Sequence, residues 1–285
     1  MTGTQHTPGP DLVSELRRTA ITVAEEAREV ILRTRAELGG DLRAVTRTKS
    51  SAVDPVTVVD EASEEFITTR LEQLRPGDGL IGEEGAHKRS ATGVVWIVDP
   101  IDGTVNFLYN LPQYAVSIAA AIDGAVVAGA VLNVATGALA SAGVGQGAHM
   151  RDHASSPNLR PLHCGDAEHL ATALVATGFS YAAQRRAEQA ELLCTLLPQV
   201  RDIRRMGSAA LDLVAVADGT VDAYYERGLN AWDFAAGMLI AREAGARVQC
   251  PPLSTSSGDN ALVLAAQPGI ATQLAGVIEG SGSGL

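Results

Sequence analysis

The chain has 285 residues, 46% of them hydrophobic and 19% charged, which excludes global disorder and leaves room for one large domain or two of ordinary size. Its 33 acidic residues outweigh 22 basic ones, and the net charge of -11 argues against nucleic acid as a direct partner, because binding a phosphate backbone needs clustered positive charge. No apolar stretch reaches the ~20 residues of a membrane span. Residues 1–10 do not read as a signal peptide, and the widely spaced Cys164, Cys194 and Cys250 fit reduced thiols, so a soluble cytoplasmic protein is expected.

Residues 1–10 read as a loose tail. From Asp11 the spacing of Leu12, Leu16, Val23, Ala27, Val30 and Ile31 predicts a helix that stops at Gly39-Gly40. Residues 42–56 are polar and read as a loop or short hairpin, and a second helix starts near Thr57 with Phe66, Ile67, Leu71 and Leu74 on one face. Pro76-Gly77-Asp78-Gly79 closes it, and a short strand delivers Gly82-Glu83-Glu84-Gly85. Val94–Val98 reads as a buried strand ending at Asp99-Pro100-Ile101-Asp102-Gly103-Thr104. Ala115–Ile122 and Ala125–Val134, joined by Asp123-Gly124 and followed by Ala138–Ala142, predict an antiparallel meander.

The Ser-, Pro- and Asn-rich residues 152–161 read as a boundary between an N-terminal α+β domain, 11–151, and a C-terminal α/β domain, 162–279, with a tail at 280–285. The second half alternates short strands (Leu174–Thr177, Asp202–Arg204, Val221–Tyr225, Arg247–Cys250, Asn260–Ala265) with helices. The helices are Gln184–Val200, with Ala187, Ala190, Leu193 and Leu197 in phase, then Ser208–Asp218, Phe234–Ala244 and Gly269–Ile278.

Asp99 and Asp102 at a strand end suit a hard cation, and Gly103-Thr104 beside them suits a phosphate gripped by backbone N–H groups; Asp-Pro is equally a common turn starter. Glu83-Glu84 between glycines also reads as an exposed turn. Asp233 opens a helix, where Asp is a frequent N-cap, and Asp60 lies in a first helical turn, where the dipole favours an acid. Together these acids sit at element edges, where active sites of α/β folds lie. The six histidines fall in tail, loop and linker stretches and read as solvated, and no Ser-His-Asp or Cys-His arrangement stands out. Gly143–Gly147 lacks the Lys-Ser/Thr ending of a phosphate-binding loop and reads as a hairpin turn. Arg185-Arg186, with Arg201, Arg204 and Arg205, reads as a solvated face, a partner surface or a rim attracting an anion.

Glu83-Glu84, then Asp99 to Thr104, then Trp232-Asp-Phe-Ala-Ala-Gly237 resemble, in this order, the signature of the inositol monophosphatase family of magnesium-dependent, lithium-sensitive phosphatases, over about residues 11–279. Lys49-Ser-Ser51, Asp54 to Asp60, Asn106-Phe107 and Asp222-Ala-Tyr-Tyr-Glu226 resemble its SuhB-type members in particular. The resemblance implies a layered α-β-α-β-α sandwich of mixed α+β and α/β character and two to three Mg²⁺ ions, with Li⁺ as an inhibitor. It implies that Glu83, Asp99 and the Ile101 carbonyl hold one ion, that Asp99, Asp102 and Asp233 hold a second, and that a weaker third lies near Glu83. Thr104 and Glu83 would polarise the attacking water, with Asp60 orienting the Thr104 hydroxyl, and Gly103 and Thr104 N–H groups would meet the phosphate. Glu226 would bind substrate hydroxyls, helped by the backbone at Gly207, Ser208 and Ala209, and Lys49 would belong to a loop closing over the metals. The implied reaction is hydrolysis of inositol 1-phosphate by a homodimer. Alternatives are the same chemistry on fructose 1,6-bisphosphate, adenosine 3′,5′-bisphosphate or histidinol phosphate, and an additional protein-binding regulatory role.

Overall fold

The computed structural model describes residues 8–38, 47–48, 55–56, 58–156 and 158–280. Lys49, with Ser50, Ser51 and Asp54, lies outside the described residues. Helix α1 (Pro10–Leu38) leads to a two-stranded antiparallel pair, β1 (Arg47–Thr48) and β2 (Pro55–Val56), and then to α2 (Val58–Leu74). There follow β3 (Gly79–Gly82), β4 (His87–Lys88), β5 (Val94–Asp102), a short α3 (Thr104–Tyr109), β6 (Ala115–Ile122), β7 (Ala125–Asn133), β8 (Leu139–Gly143), β9 (Ala148–Arg151) and β10 (Arg160–Pro161). The remainder is β11 (Leu174–Thr177), α4 (Ala183–Leu196), β12 (Asp202–Arg204), α5 (Ala209–Ala217), β13 (Ala223–Arg227), α6 (Ala231–Glu243), β14 (Arg247–Gln249), β15 (Leu262–Ala266) and α7 (Ala271–Gly280).

Strands β3 to β10 form an eight-stranded sheet in the order β10-β9-β8-β7-β6-β5-β3-β4, antiparallel except for the parallel pair β3 and β5. A five-stranded sheet follows the order β12-β11-β13-β15-β14. Helices α1 and α2 cover one face of the large sheet, and α5 and α6 lie between the two sheets, touching strands of both. Leu196 of α4 and Leu274 and Ile278 of α7 pack with Val175, Tyr225 and Leu264 on the outer face of the small sheet. The result is the layered α-β-α-β-α sandwich. Strands β6 and β7 are covered on both faces, which is why they are nearly continuous apolar runs rather than alternating ones. The hydrophobic cluster between the sheets is rich in alanine and runs from Ala119 of the first sheet through Phe234 and Leu239 of α6 to Val263 and Ala265 of the second.

Several boundaries differ from the periodicity reading. Strand β5 runs through Asp99 to Asp102, with a register shift between the two where Pro100 has no N–H to donate to the ladder. Helix α6 begins three residues before Phe234, so Asp233 is the third residue of the helix and Asn230 is its N-cap. Strand β13 runs on to Arg227 and so carries Glu226. Helix α4 stops at Leu196 and a 3-10 turn containing Pro198 follows. The predicted face of α4 is also corrected: Ala187, Ala190 and Leu197 are exposed, and the inward side carries Arg185, Gln189 and Leu196. Polar members hid that stripe, because Arg185 and Gln189 satisfy backbone groups of neighbouring loops. His149 lies in β9, not in a loop, beside the Arg17 guanidinium at 3.1 Å.

Candidate active site

Every acid expected at the site except Asp60 comes to a cleft of about 390 Å³ lined by Glu83, Asp99, Asp102, Asp233 and Glu226. The parallel pairing of Gly82 with Val98 sets Glu83, the first residue after β3, beside Asp99 of β5 at one sheet edge. The Glu83 N–H donates to the Val98 carbonyl at 3.3 Å, and the Glu83 carboxyl is close enough to the Asp99 carboxyl to raise it. The irregular step after Asp99 keeps Asp102 at the same edge. From the other end of the chain, α6 brings Asp233, whose Oδ2 accepts from the Asn230 N–H at 2.7 Å. One carboxylate oxygen from each of Asp99, Asp102 and Asp233 falls within 4.8 Å of the others.

This convergence is electrostatically uncomfortable, and the carboxylates register it. Burial pushes the Asp99 carboxyl well above its usual range, and the negative charges of Glu83, Asp102 and Asp233 push it further. Asp233 is raised by burial and by the charges of Glu83, Asp102 and Glu226, although the Asn230 N–H favours its charged form. Asp102 is pushed up to about 6 by burial, although the Ser208 hydroxyl, the Ala210 and Ala209 N–H groups and Arg205 favour its charged form. Its Oδ2 accepts from Ser208 at 2.6 Å and from the Ala210 N–H at 2.7 Å. Asp99 is 1% exposed, and its Oδ1 has no hydrogen-bond partner. A buried carboxylate oxygen without a partner, inside a cluster of converging acids, fits a divalent cation with oxygen ligands.

Around this cluster the backbone is held tightly. Gly103 adopts φ 91°, and a Cβ there would lie 2.8 Å from the Gln113 carbonyl and 3.1 Å from the Gly207 carbonyl. Only glycine fits this left-handed, crowded link between β5 and α3. The Thr104 hydroxyl donates to the Ile101 carbonyl at 3.0 Å, so two of the expected site groups engage each other. The buried Asn106 donates to the Gln113 and Met206 carbonyls, both at 2.8 Å, tying α3 to the segment before α5. Asp60 is buried in the first turn of α2.

Glu226 is pushed up to about 7, mainly by burial, while the hydrogen bond from the fully buried Tyr224 hydroxyl, 2.7 Å from Oε2, favours its charged form. Gly207 and Ala209 line the cleft, as do Arg185 and Arg205, which the sequence left open between a solvated face, a partner surface and an anion-attracting rim. Arg185 is braced by the Ser257 and Gly258 carbonyls and the Asn260 side chain. Sequence reasoning missed Glu64 and Asn230. Glu64 stands four residues after Asp60 on the same helical face, and Asn230 stands at capping-box distance before Asp233.

Residues 12–281 match the model of the inositol monophosphatase family. The chain is 49% identical over 275 residues to a protein of Mycobacterium leprae named inositol-1-monophosphatase, covering 93% of this chain and 94% of that one. It is 36% identical to a protein of Xylella fastidiosa named Nus factor SuhB, covering 83% and 86%. Among solved structures, Mycobacterium tuberculosis SuhB superposes with a TM-score of 0.80 at 45% identity, covering 94% of this chain and 97% of that one. Among the described residues no helix is long and apolar enough to cross a membrane. The fold, the edge at which the acids gather and these relatives agree: the chain belongs to the inositol monophosphatase family and is a phosphatase of that family.

Proposed function

We propose that the protein is a magnesium-dependent phosphomonoesterase that hydrolyses inositol 1-phosphate to myo-inositol and phosphate. The observation that carries this reading is the triad Asp99, Asp102 and Asp233, whose ligand atoms lie within 4.8 Å of one another beside the unpartnered Asp99 Oδ1. Glu83, Asp99 and the Ile101 carbonyl would hold one Mg²⁺, and Asp99, Asp102 and Asp233 a second, with a weaker third near Glu83; Li⁺ would inhibit by competing for a magnesium position. When bound, such ions lower the pKa of water and neutralise charge on the phosphoryl and leaving oxygens.

The residues of the chain do the rest. Glu83 and Thr104 polarise the attacking water, whose proton passes to the Glu83 carboxylate, with Asp60 steering the Thr104 hydroxyl. Gly103 and Thr104 N–H groups receive phosphate oxygens. A water oxygen bonds to phosphorus as the ester P–O bond breaks, and the departing alkoxide takes up a proton. Glu226, one oxygen already held by Tyr224, has its other oxygen to accept polyol hydroxyls, aided by the backbone at Gly207, Ser208 and Ala209. Arg185 and Arg205 supply positive potential in an acidic cleft.

The relatives' names support inositol 1-phosphate over fructose 1,6-bisphosphate, adenosine 3′,5′-bisphosphate and histidinol phosphate. Comparing kcat/KM on these four substrates, with and without EDTA, decides the matter. Inositol 1-phosphate is expected to be turned over best, and only without chelator. Faster turnover of another substrate reassigns the substrate; turnover that survives EDTA removes the metal. The Nus factor names of relatives such as the Xylella protein favour a second, protein-binding role, which a turnover-deficient variant would retain. Sizing the protein in solution tests the homodimer that the family resemblance implies.

A further inference from the structure

Glu64 is a carboxylate that the proposed chemistry does not use. It is 5% exposed on α2, and among the described residues it forms no ion pair. Both of its oxygens point at the turn that carries Glu83. Oε2 accepts from the Glu84 N–H at 2.8 Å, and Oε1 accepts from the Ala86 N–H at 2.9 Å. The same turn is closed by the Gly82 N–H donating to the Ala86 carbonyl at 2.7 Å. Gly82 packs so closely on the Glu64 carboxylate that a Cβ there would collide with it. One turn earlier on the same helix lies the buried Asp60, and the Ser63 hydroxyl lies 3.5 Å from the Pro100 carbonyl, so this face of α2 backs the acidic cluster.

A carboxylate suits this task because two N–H donors must be met by two acceptors. A glutamine would offer one acceptor and turn an NH₂ donor toward the other N–H. The turn also needs holding. It presents Glu83 to Asp99, whose carboxyl the Glu83 charge pushes up, and neighbouring carboxylates drive each other apart unless the backbone is fixed.

We propose that Glu64 is a positioning residue: through the Glu84 and Ala86 amides it fixes the Glu83 turn against the end of β5 and thereby sets the cation affinity of the Glu83–Asp99 side of the site. The inference rests on the reading of this cluster as a cation site. Outer groups that orient metal ligands are worth ~10- to 100-fold in metal affinity.

The test uses the full chain as wild type, Glu64→Gln, Glu64→Ala and the exposed-neighbour control Glu65→Gln. Mg²⁺ binding is read by calorimetry, the half-saturating Mg²⁺ for phosphate release is measured, and hydrogen exchange of the turn is followed in metal-free protein. The expected result is a Kd for Mg²⁺ raised about tenfold or more in Glu64→Gln, with a larger rise in Glu64→Ala and none in Glu65→Gln. The amides of Glu84 and Ala86 should exchange faster. Should Glu64→Ala fail to fold, the nearly isosteric Glu64→Gln decides alone. Wild-type Mg²⁺ affinity in folded Glu64→Gln overturns the role of Glu64 and leaves the cation site standing. Absence of Mg²⁺ binding in the wild type overturns the cation site and this role together.

Discussion

Asp102 and Ser208 are 106 positions apart in the chain, and their Oδ2 and Oγ atoms are 2.6 Å apart. The same Ser208 hydroxyl accepts from the Leu211 N–H at 3.3 Å and so caps α5. One side chain therefore both begins a helix and pins a proposed ligand. Ser208→Ala should lower stability by about 1 kcal/mol, the usual worth of an N-cap. It should also raise the half-saturating Mg²⁺ concentration about tenfold, because Asp102 loses an orienting donor. Ser208→Thr should keep both properties. Thermal unfolding and a Mg²⁺ titration of phosphate release check the pair, and loss of stability with unchanged metal dependence would reduce Ser208 to a cap.

Glu226 yields a pH prediction. Its folded pKa of about 7 lies above the model-compound value of 4.5, so its charged form is disfavoured by folding. The stability associated with the protonated group is full below the unfolded pKa and is lost as pH rises through about 7. Asp99, Asp102 and Asp233 shift in the same direction. Metal-free protein should therefore unfold at lower temperature at about pH 8 than at about pH 5, and Glu226→Gln should flatten part of that slope. If the carboxylate accepts substrate hydroxyls, KM should fall as pH rises through 7 in the wild type and stay level in Glu226→Gln. A flat thermal profile in metal-free wild type would contradict the burial of these charges.

Cation binding should reverse that trend. Ligand carboxylates must be deprotonated to bind, so Mg²⁺ competes with protons at Asp99, Asp102 and Asp233. At a hundred times its Kd a bound ion stabilises by about 2.7 kcal/mol, and the gain should be larger at about pH 8 than at about pH 5. Melting curves at both pH values, with Mg²⁺ and with EDTA, measure it. Equal stabilisation at both would place the ion away from these acids.

The layers were legible because β6 and β7 are long apolar runs and α1 repeats its apolar residues at helical spacing. The acids of the site were legible as a family signature, and no single one was convincing by its local context. The residues that hold them in place were harder to read. Glu64 and Asn230 act through backbone N–H groups, a use that leaves no trace in hydrophobic period. The inward face of α4 was hidden for the same reason, since Arg185 and Gln189 face inward as hydrogen-bonding groups rather than as apolar ones. The shifted start of α6 followed from treating Asp233 as a cap when it is the acid that answers the cap three residues later.

Gly103→Ala should be costly for both fold and turnover. At φ 91° an alanine is strained by about 1 to 2 kcal/mol, and its Cβ would press on two carbonyl oxygens. Because Gly103 joins β5 to α3, relief of the clash would move Asp102 and Thr104. Urea unfolding and phosphate release on the purified variant check this. A variant with wild-type stability and kcat would show that the link is looser than its geometry implies.

The most direct measurement is phosphate release from inositol 1-phosphate by wild type, Asp99→Asn and Asp233→Asn, each with Mg²⁺ and with EDTA. Wild type should be active with Mg²⁺ and silent with EDTA. Both variants should fold normally, judged by circular dichroism, and lose at least about a hundredfold in kcat, the scale on which one electrostatic contact to the reacting group counts. Wild-type turnover by either folded variant, or turnover that persists in EDTA, would contradict a cation-held phosphatase site on these carboxylates.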